Sequence, residues 1–213
     1  MSYIIAIVGG SCSGKTTLAG HLHAKLGIKN CMVIRQDDYY VDIRDRVSDG
    51  TIPNFDIPEA IDFDALRDDV TALKAGQSVA LPNYDFGTHM RERASAPIRP
   101  RPYIIIEGLL LLTCPNMREL IDYSYYIECP TNLRFARRLT RDVAERNRTE
   151  EFVQKQFFED VEPAHEAFVK PSSKLADTVI AQEQYTANLD TLLDEMVTRC
   201  NALAPMEKSA TAP

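Results

Sequence analysis

The chain has 213 residues, of which 45% are hydrophobic and 26% charged, as in an average soluble globular domain. It holds no apolar run near the roughly 20 residues that would cross a bilayer, and its formal net charge of -7 argues against general nucleic-acid binding. We therefore expect one folded domain with no membrane partner and no nucleic-acid partner. The first residues lack a basic segment and a cleavage site, which indicates a cytoplasmic protein.

The cysteines and arginines narrow the chemistry further. Five cysteines, an odd number, are widely spaced and include no CxxC pair, so we expect reduced thiols and neither a zinc site nor a redox pair. Six arginines lie between residues 134 and 148. Such a density in an acidic chain favours an anionic ligand over a solvated surface.

Short apolar runs rich in β-branched residues predict strands that are buried on both faces of a parallel sheet. They occupy residues 3–8, 31–34, 103–107, 123–128 and 177–181. Apolar residues at helical spacing predict helices between these strands. The helices run from about Lys15 to Gly27 and over residues 59–75, 130–147, 149–169 and 186–200. Pro163 is expected to kink or break the helix that contains it.

This alternation of strands and helices predicts an α/β fold whose ligands bind at the carboxyl ends of the strands. We expect a single domain over residues 1–203 and a disordered tail over 204–213. Residues 77–102 carry four prolines among short β-prone pieces and interrupt the alternation. We expect this segment to be an insertion that carries substrate contacts.

Residues 9–16 read Gly-Gly-Ser-Cys-Ser-Gly-Lys-Thr, which satisfies the phosphate-loop pattern GxxxxGK[ST] between a predicted strand and a predicted helix. The pattern predicts a P-loop NTPase fold that binds ATP and Mg²⁺: backbone N–H groups hold phosphate oxygens, Lys15 reaches the β- and γ-phosphates, and the Thr16 hydroxyl binds the metal. The residues expected to bind the nucleotide are Gly9, Gly10, Ser11, Cys12, Ser13, Gly14, Lys15, Thr16 and Thr17.

Two carboxylates follow or end predicted strands near this loop. Asp37 stands where a carboxylate could orient and deprotonate an attacking hydroxyl, and Glu107 stands where it could hold the metal or a metal-bound water. Each could instead be a turn or capping residue. Because the chain has no [NT]KxD guanine-reading motif and is short for a motor, these acids favour a kinase.

From about Tyr3 to Ala181 the order of motifs resembles the uridine-cytidine kinase family of P-loop kinases. After the phosphate loop, the motifs that carry this resemblance are QDDYY at 36–40, NFDIP at 54–58, YDF at 84–86 with His89 and Arg91, IEGLLL at 106–111, RR at 137–138, RD at 141–142, ERNR at 145–148, KP at 170–171 and AD at 176–177. Each motif is weak alone, but the series is specific.

The resemblance implies roles for individual residues. Asp37 would be the general base for a nucleoside 5′-hydroxyl, with Lys15, Arg141 and Arg146 as further catalytic residues, and a helical Arg-rich lid would span about 134–156. Asp56 would bind the ribose hydroxyls, and Tyr84 and His89 would read the edge of the pyrimidine. The full set of substrate-binding residues that it implies is Asp37, Tyr40, Phe55, Asp56, Tyr84, Phe86, His89, Arg138, Arg148 and Gln156; the metal residues are Thr16 and Glu107.

The chain also departs from the family pattern. Asn147 replaces a glycine between two arginines, and asparagine is the next best residue if that position needs a positive φ. Ile57 stands where a histidine is common, and residues 181–183 read Ala-Gln-Glu in place of Pro-Arg-Gly. The second difference leaves the preference between ATP and GTP open.

These observations favour an enzyme that phosphorylates the 5′-hydroxyl of uridine or cytidine to UMP or CMP in pyrimidine salvage. An alternative keeps the chemistry with another small hydroxyl acceptor, such as nicotinamide riboside or a sugar or vitamin alcohol. A second alternative is a nucleotide-binding regulator without transferase activity. Tetramers are common in the resembling family, so a homo-oligomer also stays open.

Overall fold

The structure is a computed structural model that describes residues 1–42 and 54–203. The tail expected over residues 204–213 lies outside the described residues. The strands are β1 Tyr3–Gly9, β2 Cys31–Arg35, β3 Pro82–Asp85, β4 Met90–Arg93, β5 Tyr103–Gly108, β6 Tyr123–Glu128 and β7 Thr178–Ala181. The helices are α1 Lys15–Leu26, α2 Phe63–Lys74, α3 Pro115–Arg118, α4 Thr131–Glu145, α5 Glu150–Gln156, α6 Glu162–Ala164, α7 Lys170–Ser172, α8 Gln182–Ala187 and α9 Leu189–Leu203.

Within the described residues, the main sheet has the strand order β2-β5-β1-β6-β7, and its neighbouring strands are parallel. Alternate side chains of β1 enter two separate cores: Ile4 and Val8 pack on the face with α2, whereas Ile5 and Ile7 pack on the face with α1 and α9. Burial on both faces explains why these strands read as continuous apolar runs. The α/β fold and the five predicted sheet strands are confirmed.

Pro163 does not end its helix. The helical run continues from α5 through α6 to α7, with π-helical turns at Phe157–Val161 and His165–Val169 on either side of the proline-bearing segment. The sequence predicted a kink or a break at Pro163, and the predicted break is wrong. Proline lacks an N–H donor, and a shift of the hydrogen-bond ladder to π spacing accommodates such a gap without ending the helix.

The last helical segment differs from its predicted bounds of 186–200. The chain enters α8 directly after β7, leaves the helical conformation at Asn188 with φ -135° and ψ 40°, and begins again at α9. The Asn188 carbonyl accepts the Leu192 amide at 3.0 Å. The apolar stripe of α9 had indicated the second helix only, because α8 is too short to show a period.

Strands β3 and β4 form an antiparallel hairpin outside the main sheet, within residues 77–102. Side-chain bonds tie it to the sheet-covering layer: Arg93 pairs with Asp69 at 2.9 Å and Arg91 pairs with Asp62 at 2.9 Å. These bonds fix the hairpin turn, residues 86–89, beside the carboxyl edge of the sheet. Across the residues the structure describes, no helix is both long and apolar enough to cross a membrane.

One buried histidine makes the fold acid-sensitive. His165 lies in the second π-helical turn against the phosphate loop, since a Cβ atom added at Gly10 would stand 2.9 Å from its ring. Burial, aided by the nearby Arg134 cation, lowers the pKa of His165 to about 4 from its usual 6.5. The unfolded chain therefore binds an extra proton between these pH values, and the folded state loses stability as pH falls from about 6.5 to 4.

We expect His165→Gln to reduce the pH dependence of the free energy of unfolding between pH 4 and 6.5. The reduction is up to about 1.4 kcal/mol per pH unit, the slope that one proton contributes. Urea unfolding at pH 4 to 7 measures the effect, and His21→Gln, which changes an exposed histidine, is the matched control. Equal slopes for His165→Gln and the wild type would contradict the assignment.

Candidate active site

The phosphate loop joins β1 to α1 at the centre of the sheet's carboxyl edge. The loop takes left-handed backbone conformations at Cys12, with φ 60°, and at Gly14, with φ 105°. The Ser13 amide donates to the Gly10 carbonyl at 3.1 Å, and the Lys15 ammonium donates to the same carbonyl at 3.0 Å. The loop is thus closed on itself, with the lysine folded over it.

Gly14 has a packing reason as well as a conformational one. A Cβ atom there would lie 2.7 Å from Cε1 of Tyr185, whose hydroxyl donates to the Gly14 carbonyl at 3.4 Å. Any other residue at this position would strain the backbone and displace the ring from the loop.

Two carboxylates lie beside the loop. The Thr16 hydroxyl donates to Glu107 Oε1 at 2.9 Å at the end of β5, where Glu107 is buried. Burial raises the pKa of Glu107, the Lys15 charge opposes that rise, and the Asp37 charge adds to it. Asp37 lies in the 3₁₀ turn Gln36–Tyr39 that follows β2 and lines the same cavity.

This cavity has a volume of about 880 Å³. The sequence-predicted residues that line it are Ser11, Cys12, Gly14, Lys15, Thr16, Thr17, Asp37, Tyr40, Phe55, Asp56, Phe86, His89, Glu107, Arg138, Arg141, Arg146, Arg148 and Gln156. Four others lie outside its lining: Gly9, Gly10 and Ser13 form the back of the loop, and Tyr84 is buried behind His89. A single space therefore receives both the loop and the residues implied for the acceptor.

Aromatic rings form the end of the cavity away from the loop. The rings of Phe55 and His89 stack with centroids 5.2 Å apart and planes 17° apart. Tyr40 meets Phe55 edge-on at 5.2 Å, and the Tyr84 hydroxyl lies 3.3 Å from His89 Nδ1. Burial, together with the Arg148 and Arg146 charges, lowers the pKa of His89, so the ring is neutral at neutral pH.

Asp56 and Arg138 lie between the two ends. Arg138 is buried and donates to Ser11 Oγ at 2.9 Å and to Gln156 Oε1 at 3.0 Å, and its Nη1 lies 3.9 Å from the Asp56 carboxylate. Burial raises the pKa of Asp56, the Arg138 charge opposes the rise, and the Asp37 charge adds to it. One arginine thus connects the phosphate loop to Asp56, which lies next to the aromatic end of the cavity.

The remaining cavity arginines come from the end of α4 and the turn after it. Arg146 lies over the Phe86 ring at 4.9 Å, and Arg148 lies over Phe152 at 4.8 Å. Asn147 between them has φ 54°, so the condition under which asparagine is the next best residue after glycine is met. Asparagine tolerates that conformation better than most non-glycine residues.

The sequence assigned no site role to nine residues of the cavity lining. They are His21, Gly87, Leu109, Arg137, Glu145, Asn147, Tyr185, Thr186 and Leu189. Arg137 contacts the loop directly, since its Nη1 donates to the carbonyls of Cys12 and Ser13 at 3.3 Å each. Its spacing of four residues from Arg141 on one helix was a usable signal, whereas α8 carries no motif that would mark Tyr185 or Thr186.

A metal at this site would need ligands beyond the protein. Within residues 1–42 and 54–203, no group of three His, Cys, Asp or Glu side chains is placed to hold a metal. Mg²⁺ in phosphoryl-transfer sites takes one or two protein ligands together with phosphate oxygens and waters. The Thr16 hydroxyl and the Glu107 carboxylate, in contact beside the loop, fit that donor set.

Phosphoryl transfer requires a phosphate cradle, a carboxylate beside the acceptor and cations for the moving charge, all in one enclosed space. The cavity combines them at the carboxyl edge of a parallel sheet, which defines the chain as a P-loop kinase. The sequence model of the phosphoribulokinase / uridine kinase family matches residues 4–188, so the chain belongs to this family. A kinase of this fold uses a nucleotide together with a metal ion.

Relatives cover most of the chain. The uridine kinase of Halobacterium salinarum is 35% identical over 197 residues, which cover 92% of this chain and 87% of that protein. The uridine kinase of Shewanella sp. (strain ANA-3) is 40% identical over 182 residues, with coverages of 83% and 86%. The structure of phosphoribulokinase from Rhodobacter spheroides aligns with a TM-score of 0.61 at 17% identity, over 84% of this chain and 70% of that one, and shows a shared fold.

We expect Gly14→Ala to lower the affinity for MgATP at least tenfold, because alanine would be strained at φ 105° and would meet the Tyr185 ring. Gly20→Ala in α1 is the matched control, since an added Cβ atom there meets nothing within 4 Å. The control is expected to bind MgATP normally, and its free energy of unfolding is expected to rise by about 0.4–1 kcal/mol. Equilibrium titration with a fluorescent ATP analogue measures the affinity of each variant, and urea unfolding measures the stability of the control. Equal affinities in Gly14→Ala and the wild type would show that the loop tolerates the change.

Proposed function

We propose that the chain transfers the γ-phosphoryl group of ATP to the 5′-hydroxyl of uridine or cytidine, giving UMP or CMP and ADP. The observation that carries this proposal is that one cavity of about 880 Å³ joins a phosphate loop to an aromatic acceptor end through Asp37 and Asp56. Its volume suits small-molecule ligands, for which cavities of about 300–1,000 Å³ are usual. The uridine kinase relatives support the same acceptor.

The acceptor end suits a flat, polar-edged ring attached to a sugar. Aromatic faces at Phe55, Phe86 and Tyr40 offer stacking and edge contacts to such a ring. The buried Asp56 carboxylate can accept hydrogen bonds from two neighbouring hydroxyls, as on a ribose. Removing either hydroxyl would leave a buried acceptor unpaired, which favours ribosides over deoxyribosides.

The Tyr84–His89 contact offers a way to accept both pyrimidines. A neutral imidazole has one donor and one acceptor nitrogen, and a tyrosine hydroxyl can donate or accept. When the Tyr84 hydroxyl donates to Nδ1, Nε2 carries a proton for the O4 oxygen of uridine. When Nδ1 donates to that hydroxyl, Nε2 accepts from the N4 amino group of cytidine. The pairing at 3.3 Å permits either tautomer.

The chain's own residues supply the transfer chemistry. Asp37 orients the 5′-hydroxyl and accepts its proton as the oxygen attacks the γ-phosphorus in line with the departing ADP oxygen. Lys15, Arg141 and Arg146 stabilise the charge that develops on the transferring phosphoryl group. Magnesium, held through Thr16 and Glu107, would neutralise phosphate charge. We further infer that residues 77–102 carry acceptor contacts and that residues of about 134–156 act as a lid that excludes water.

An acceptor panel tests the proposal. With MgATP, ADP release is expected with uridine or cytidine and not with nicotinamide riboside, pantothenate or ribulose 5-phosphate. Asp37→Asn is expected to lower kcat at least a hundredfold while the protein still binds MgATP, because general-base catalysis contributes about 10²–10⁴-fold.

Turnover on another acceptor alone would overturn the pyrimidine assignment and keep the kinase. ATP binding without turnover on any acceptor would favour the regulator. Wild-type rates in Asp37→Asn would remove Asp37 from the chemistry.

We expect Tyr84→Phe to raise KM for both uridine and cytidine about fivefold with little change in kcat, since the lost hydrogen bond to His89 is worth about 1 kcal/mol. Tyr103→Phe, which removes a hydroxyl bonded to Asn201 at 2.9 Å on another part of the molecule, is the matched control. Steady-state kinetics with each nucleoside measures the effect. An unchanged KM in Tyr84→Phe would rule out the tautomer argument.

A further inference from the structure

Asp142, near the end of α4, is a buried carboxylate surrounded by arginines. Its side chain is 1% exposed. Arg141 Nε donates to its Oδ1 at 2.7 Å. Arg146 Nε lies 3.6 Å from the same oxygen and Arg138 Nε lies 3.5 Å from Oδ2, and these two contacts are ion pairs without a hydrogen bond. Its three arginine partners all line the cavity, whereas Asp142 itself does not.

The contacts use the same part of each arginine. All three approach Asp142 through the inner Nε edge of the guanidinium, which leaves the terminal Nη groups directed elsewhere. Arg138 shows the result, because its Nη1 and Nη2 reach Ser11 and Gln156. A planar guanidinium that is hydrogen-bonded at Nε, as in Arg141, presents its outer donors in a fixed direction, and the charge of Asp142 attracts the Nε edges of Arg138 and Arg146. Asp142 therefore orients the terminal Nη groups of these arginines, although those groups do not bond to Asp142.

Charge repulsion acts against this arrangement. Three cations surround one buried carboxylate, and the side chains of Arg141 and Arg146 are only 30% and 29% exposed. Burial lowers the pKa of Arg146, and the Arg141 and Arg138 charges lower it further, while Asp142 opposes them. Loss of the Asp142 charge would leave Asp37 to oppose the repulsion at Arg141 and Arg146, whereas Arg138 would keep its bonds to Ser11 and Gln156.

The backbone of Asp142 holds the following turn as well. Its carbonyl accepts the amides of both Arg146 and Arg148 at 3.2 Å, across the left-handed turn at Asn147. These two hydrogen bonds to one carbonyl end α4 and place Asn147 and Arg148 at the cavity. The side chain and the carbonyl of one residue thus both act on the cavity arginines.

We propose that Asp142 is a positioning residue that holds Arg138, Arg141 and Arg146 in their transfer geometry before the nucleotide binds. The proposal rests on the assignment of Arg141 and Arg146 to the transferring phosphoryl group, as given above. It adds a residue that touches neither donor nor acceptor and that acts only through the arginines.

Asp142→Asn tests it, since asparagine keeps the shape and removes the charge. We expect kcat to fall about 10- to 100-fold, the usual effect of losing a residue that orients a reacting group, while KM for MgATP changes less than threefold. The matched control is Asp122→Asn, which alters a partly buried carboxylate that accepts from the Lys74 ammonium and from the Ile4 amide at 2.8 Å each and does not line the cavity. That variant is expected to lose stability and to keep kcat.

Three results are decisive. A kcat of Asp142→Asn within twofold of the wild type would overturn the proposal, and so would an equal fall in Asp122→Asn, because the effect would then be general destabilisation. A wild-type enzyme that turns over only a different acceptor would overturn the pyrimidine assignment while leaving Asp142 testable with that acceptor.

Should Asp142→Asn fail to fold, the ¹⁵Nε resonances of the arginines in the ligand-free wild-type protein supply the test. The Arg141 Nε–H, assigned by its loss in Arg141→Lys, is expected to exchange with water at least tenfold more slowly than a free arginine. Exchange at the free rate, slowing only when MgATP is added, would show that the nucleotide and not Asp142 orders the arginine.

Discussion

The balance of buried charge at the carboxyl edge of the sheet is the constraint on which the rest of the structure depends. Asp56, Glu107 and Asp142 are buried there beside Lys15 and Arg138. A buried charge is costly unless it is paired, and removing one partner exposes the full cost of the other. These buried charges therefore depend on one another, because each carboxylate lies near a cation of the phosphate loop or of α4.

This balance also prepares the site for its ligand. The arginines of α4 and its following turn outnumber the carboxylate that holds them, so the cavity carries an excess of positive charge near the phosphate loop. A polyphosphate would complete the pairing that the protein leaves open. The burial of these side chains, which makes their charges costly, also strengthens their action on a charge that develops in a transition state.

The acceptor end reaches this edge through a second set of bonds. Asp38, next to the proposed base Asp37, accepts from Arg35 at 2.9 Å and from the Tyr84 amide at 3.3 Å. The 3₁₀ turn after β2 is thereby joined to the hairpin that carries Tyr84 and His89. One buried aspartate thus fixes Asp37, the proposed general base, relative to Tyr84 and His89, which are proposed to read the nucleobase, although the two segments are nearly 50 residues apart.

The limits of sequence reasoning are seen in particular elements. The parallel strands were readable because burial on both faces leaves continuous apolar runs, and the phosphate loop was readable because only glycine and a few other residues suit its backbone. The passage of the helix through Pro163 was not readable, because π-helical turns depend on packing and leave no period. The lining from α8 was missed for a similar reason, since a six-residue helix shows no pattern.

The sequence by itself determined the fold class, the phosphate loop and the identity of the charged residues, since local backbone preference and burial act on near neighbours. The tertiary structure decided which of those charges meet across segments. Asp142 lies four residues from Arg138 and from Arg146, so the helix itself makes these side chains neighbours, but only the packing of α4 against the loop brings Arg138 to Ser11 and Asp56. Contacts of that second kind depend on distances through space, which spacing within one helix does not encode.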